Sequence, residues 1–150
     1  MYITLVRTDN SPVQLFSRLA LGVVMFPHGA QKALGWYGGP GFAETLRQFA
    51  AMGFPGWIAV LLMALELIGS LLLIIGLFTR IWALGFTVSL TACMLLNHFQ
   101  YGFFMNWLGQ KQGEGIEFHL LAIGITLGLM IRGGGLLSVD RALTPENEVL

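Results

Sequence analysis

Met25-Phe26-Pro27-His28-Gly29-Ala30-Gln31-Lys32 is where a hydrophobic segment begun at about Val13 turns into a row of polar groups. On a helix carried through Lys32, His28 lies one turn from both Gln31 and Lys32, so the three project from one side. Such a side, set among apolar residues, requires polar partners, and the remainder of the chain supplies candidates.

Of the 150 residues, 55% are hydrophobic and 11% charged, where a soluble domain carries about 25% charged residues. With a mean hydropathy of +0.73, the chain reads as an integral membrane protein. Its net charge is zero and its basic residues are scattered singly, which excludes the electrostatic footprint of a nucleic-acid binder and of a polybasic lipid-binding run. The single cysteine, Cys93, lies in an apolar run, with no partner for a disulfide in its own chain, and reads as a small packing residue. Residues Met1 to Val13 lack a basic region followed by an A-x-A-like site, so no cleavage is expected there.

Four stretches are long enough to cross about 30 Å of hydrocarbon. They run roughly 14–34, 57–78, 81–99 and 116–131, in a single domain covering 1–150, with an exposed tail over 138–150. Pro27 removes a backbone donor and favours a kink in the first. Trp36-Tyr37-Gly38-Gly39-Pro40-Gly41 is a surface loop. After it, Phe42 to Met52 sets Phe42, Leu46, Phe49 and Ala50 opposite Glu44, Arg47 and Gln48, a one-sided helix too short to span. The second stretch is apolar except for Glu66. In the fourth, Gly124 and Gly128 form a GxxxG packing signal. The expected fold is an all-α, integral membrane four-helix bundle with a short amphipathic interfacial helix between spans one and two.

With both termini cytoplasmic, Arg7, Arg18, Arg80, Arg132 and Arg141 fall inside and Lys32, Arg47 and Lys111 outside, the arrangement the positive-inside rule prefers. That threading puts His28, Lys32, His98, Glu117 and His119 on one outer tier. Glu66 lies some nine residues into its span, on the order of 14 Å along a helix, so it sits near mid-membrane. A carboxylate at that depth costs roughly 2.5–3.5 kcal/mol on insertion scales and must find a partner. A Lys32 side chain reaching down, or water beneath the Pro27 kink, could meet it.

The chain resembles the DoxX family of small four-span membrane proteins. The resemblance rests on Arg18, Gly22, His28-Gly29-Ala30-Gln31-Lys32, Gly38-Gly39-Pro40-Gly41, the Gly53 and Pro55 turn and Glu66-Leu67-Ile68-Gly69 with Gly76 and Thr79-Arg80. It continues in His98 with Gly102-Phe103-Phe104, Glu117 and Ser138-Val139-Asp140-Arg141. The family is described as oxidoreductase subunits, by kinship with a quinone-linked thiosulfate-oxidising complex. Distant relatives resemble membrane chaperones or cargo receptors without redox chemistry. By position, Arg18, His28, Gln31, Lys32, Glu66, His98 and Glu117 match its polar residues, and His119 lies close by.

These readings lead to a membrane subunit of a quinone-linked oxidoreductase in the bacterial cytoplasmic membrane, with an outer-leaflet polar pocket for a quinone-like molecule. Glu66, His28 and His98 are the candidate catalytic residues: histidines titrate near neutrality and a buried carboxylate carries protons. Gln31, Lys32, Glu117, His119 and Arg18 are the candidate quinone contacts, Arg18 also reading as an anchor that snorkels to the interface. Neither haem nor metal is expected: no pair has H-E-x-x-H or C-x-x-C spacing, and Glu117 and His119, two apart on a helix, point roughly opposite ways. The expected partners are the lipid bilayer, other oxidoreductase subunits and a second copy of the chain. The competing classes are a non-catalytic membrane adaptor or chaperone and a proton-coupled small-molecule transporter.

Overall fold

The computed structural model describes residues 5–150, and these are helical without a strand among them. Helix α1 is Pro12–Leu34, α2 Gly41–Ala51, α3 Gly56–Ile75, α4 Thr79–Tyr101, α5 Glu117–Arg132 and α6 Val139–Leu143. Ser11 starts α1 by accepting from the Val13 N–H, with Pro12 in the first turn, where its missing donor costs nothing. The same helix runs on through Pro27 and ends at Gly35, whose φ of +72° lets its N–H cap the last carbonyls.

Helices α3 and α4 are each long and apolar enough to cross a membrane. Both contain a single π-helical turn, Leu65–Gly69 in α3 and Met94–His98 in α4. Such turns insert an extra residue into an α-helix and collect at functional sites. Here they hold Glu66 and His98.

The four long helices pack in a ring, α1 on α3, α3 on α4, α4 on α5 and α5 back on α1. Leu21, Met25, Leu73, Ala83, Phe86, Leu90, Ala122 and Leu129 fill its centre. The outward faces are apolar as well: Phe16 and Val23 on α1, Leu61 and Ile68 on α3, Val88 and Leu96 on α4, and Leu121 and Ile131 on α5 are all exposed. An apolar surface on every side is what lipid contact requires.

Close approach of α1 to α3 depends on Gly22 and Gly29. A Cβ on Gly29 would lie 2.4 Å from the Leu67 nitrogen and 2.5 Å from the Glu66 carbonyl carbon, so the two backbones touch at the π turn. Gly124 and Gly128, by contrast, would meet nothing within 4 Å among the described residues. The GxxxG signal therefore does not pack inside this chain, and the contact that uses glycine is elsewhere. Gly29→Ala is accordingly expected to destabilise by about 3 kcal/mol or more, because backbone cannot move aside. Gly124→Ala is expected to be neutral or stabilising by up to ~1 kcal/mol through helix propensity. Unfolding of both variants in micelles, followed by circular dichroism, checks the contrast.

Arg18 does not snorkel. It is 1% exposed, and its guanidinium donates to the carbonyls of Leu73, Ile74, Gly134, Leu136 and Leu137, tying α1 and α3 to the segment after α5. The 138–150 tail is only partly exposed: Ser138, Asp140 and Thr144 turn inward while Val139 and Leu143 stay outside. Thr144 Oγ1 donates to the Val6 carbonyl. The Asp140 carboxylate accepts from the Phe78 and Thr79 N–H groups at 2.7 and 2.8 Å, capping the start of α4. Burial pushes the Asp140 carboxyl above the ordinary range, while hydrogen bonds from Thr79 and Phe78 and the Arg18 charge pull it down.

Candidate functional site

Lys32 stands in the last turn of α1, and Glu66 in the π turn of α3. With Gly29 removing any spacer between the helices, the Lys32 ammonium reaches the Glu66 carboxylate at 2.6 Å. Glu66 is buried, its side chain 8% exposed against 28% for Lys32. One turn on, Ser70 Oγ donates to the Glu66 carbonyl, a bond that leaves the carboxylate free to face Lys32. The lysine's own backbone carbonyl accepts from Thr45 Oγ1 at 3.0 Å, so the buried face of α2 braces the end of α1.

His28, one turn before Lys32, feels the charges of both Lys32 and Glu66. It is exposed on the surface of α1, however, and not enclosed with them. Its position follows from the helix: the buried positions of α1 here are Met25, Gly29 and Ala30, and His28 falls between them on the outward side. Gln31 lies at the seam with the glycine-rich loop, whose Gly39 sits so close that a Cβ would be 2.5 Å from the Gln31 Cα.

Two of the other predicted residues, His98 and His119, form a second group. His98 and His119 meet ring to ring, centroids 4.3 Å apart at 43°. The His98 Nδ1 lies 3.0 Å from the Glu114 carbonyl. His119 is buried, as the opposite projection of Glu117 and His119 requires. Glu117 instead serves the loop over 102–115, accepting from the Met105 N–H at 3.0 Å and the Trp107 indole at 3.3 Å. Glu114 does likewise for the Asn106 N–H at 2.6 Å. Arg18 lies with the segment after α5, bound to its carbonyls, and shares no contact with the Lys32–Glu66 pair.

The single outer tier is thus split between an ion pair at α1 and α3, with His28 beside it, and a histidine pair at α4 and α5. Cys93, which the sequence reads as packing, stands with the second group, next to His98 and His119. Two hollows mark the surface of the described residues. One is lined by Leu5, Arg80, Ile81, Leu84 and Met130, and the other by residues from Phe104 to Lys111. Neither contains Lys32 or Glu66.

No solved structure matches this chain. A protein of Bacillus subtilis (strain 168) named "Putative oxidoreductase CatD" is 29% identical over 126 residues, covering 84% of this chain and 83% of the relative. The "Inner membrane protein YqjF" of Escherichia coli (strain K12) is 36% identical over 112 residues, covering 73% of this chain and 79% of the relative. The family model described as DoxX matches residues 13–99, a stretch that holds His28, Lys32, Glu66 and His98. The match takes in more than half of the chain, and the protein belongs to the DoxX family.

Proposed function

We propose that this protein is a membrane subunit of a quinone-linked oxidoreductase that binds the head of a quinone-like molecule beside the Lys32–Glu66 pair. The observation that carries the reading is the pair itself: a buried carboxylate held 2.6 Å from an ammonium, in a π turn, with a histidine one turn away. The name of CatD and the inner-membrane name of YqjF support it at family level. In this reading all four long helices cross the bacterial cytoplasmic membrane, α2 lies in the interface, and both termini are cytoplasmic. The arginines favour that orientation, since Arg7, Arg80, Arg132 and Arg141 all bond to groups at the end where the chain termini meet.

Oxidation of a quinol releases two electrons and two protons. Lys32 stabilises the oxyanion left by the first deprotonation, Glu66 and His28 take up protons in turn, and the electrons pass to an acceptor on a partner subunit. The side-chain chemistry fits at each position, and Glu66 is protected from bulk water until the quinol head arrives.

Titration of a short-chain quinone into the purified protein in nanodiscs, read by tryptophan fluorescence, tests the proposal. Saturable binding is expected, weakened about tenfold or more in Glu66→Gln and in His28→Ala with helix content unchanged; tenfold corresponds to roughly 1.4 kcal/mol. Equal affinity in wild type and both variants, or no binding above empty nanodiscs, overturns it and favours the adaptor class.

A further inference from the structure

Cys93 and His98 on α4 and His119 on α5 bring one donor atom each to a single point, all within 4.8 Å of one another. Two features mark the point as more than a packed corner. A carbonyl oxygen only accepts, so His98 Nδ1 must donate its proton to Glu114, which leaves Nε2 with a free lone pair. A ligating histidine needs this support from its other nitrogen. His119 is 6% exposed, and its Nδ1 has no hydrogen-bond partner among the described residues. A buried ring nitrogen without a partner is costly unless something fills the place.

We propose that Cys93, His98 and His119 bind one copper(I) ion. A thiolate with two neutral imidazoles is a soft to borderline donor set, suited to copper(I) or zinc(II). Charge and ligand number decide between them. Copper(I) is satisfied by three donors, and with one thiolate it makes a neutral unit, which an apolar bundle tolerates. Zinc(II) leaves a net positive charge and calls for a fourth ligand. On binding, the thiol proton passes to water and no electron is transferred.

Metal–ligand bonds of about 2.0–2.3 Å put three donors roughly 3.5–4 Å apart, so the site closes with about 1 Å of side-chain movement. The π turn makes the convergence possible. Positions i and i+5 diverge on an α-helix, but i→i+5 bonding stacks them, and Cys93 and His98 are five apart across that turn. With His98 committed to the ion, the proposed quinone head rests on Lys32, Glu66 and His28.

The test uses the full chain in detergent, loaded anaerobically with copper(I) buffered by bicinchoninate, desalted, and assayed by mass spectrometry for metal per chain. X-ray absorption at the copper edge reads the ligands. One copper per chain with one sulfur and two nitrogen ligands is expected, with a copper-dependent rise in melting temperature. At least tenfold weaker retention is expected in Cys93→Ser, a near-isosteric change, and in His119→Gln. Copper held equally by wild type and both variants overturns the site, and preferential retention of zinc in a parallel loading overturns the choice of ion. No quinone enters the assay, so its failure is distinct from failure of the quinone reading.

Discussion

Arg18→Met will destabilise the protein by at least ~3 kcal/mol and release the 138–150 tail to protease, although it preserves apolar volume and touches no part of the proposed site. Arg18 is 1% exposed and supplies donors to five carbonyls on α3 and on the segment after α5. Leaving a buried acceptor unmade costs about 1–3 kcal/mol, and water can reach only some of the five. Arg18→Lys should recover a minority of the loss, because an ammonium on a flexible stem cannot reproduce the planar fork. The tail follows because Gly134, Leu136 and Leu137, which lead into it, are held by this side chain. Unfolding monitored by circular dichroism in micelles, with limited proteolysis on the same samples, checks both effects. An unchanged midpoint with an intact tail would show that the clamp is not structural.

Removing either member of the Lys32–Glu66 pair will have unequal results. Lys32→Met leaves a buried carboxylate without its cation, and a broken buried pair costs about 3–5 kcal/mol. The low end applies, since the Lys32 side chain is 28% exposed and water can partly replace it. Glu66→Gln leaves an ammonium that can turn outward and should cost about 1 kcal/mol, the net worth of a typical hydrogen bond. The double variant Lys32→Met with Glu66→Leu is expected to regain most of the stability while losing quinone binding. With Glu66→Leu as the second single variant, a cycle in which the double variant is as unstable as the sum of the singles would mean that the two residues act apart.

Much of this arrangement was legible in the sequence. The four helical stretches at 14–34, 57–78, 81–99 and 116–131 correspond closely to α1, α3, α4 and α5, since apolar length is a strong signal. Threading the spans and asking what a buried carboxylate needs offers Lys32 or water as the partner of Glu66, and the structure has Lys32. What stayed hidden depends on backbone irregularity. Regular helical spacing separates Cys93 from His98, and neither H-E-x-x-H nor C-x-x-C spacing describes two residues five apart that the π turn at Met94–His98 brings together. Composition gives no warning of such a turn.

Three further differences have physical causes. Arg18 looked like a snorkelling residue because its acceptors are main-chain carbonyls more than 50 positions away, which leave no trace in a side-chain pattern. His28 was expected inside with its neighbours, but α1 buries Met25, Gly29 and Ala30 and turns His28 outward. The glycines of the GxxxG signal face open space, while Gly29 makes the close approach next to Glu66 and Leu67. A single glycine beside a polar residue carries no recognised signature, although here it decides where the ion pair forms.

Photolabelling with a quinone that carries a light-activated group on its head reports where the molecule sits and not only how tightly it binds. The protein is labelled in nanodiscs, digested and mapped by mass spectrometry. Adducts on the segments around Met25–Leu34 and Met63–Gly69, suppressed by unlabelled quinone and by Glu66→Gln, are the predicted result. Adducts confined to the surface hollow between Phe104 and Lys111, unaffected by Glu66→Gln, would contradict it.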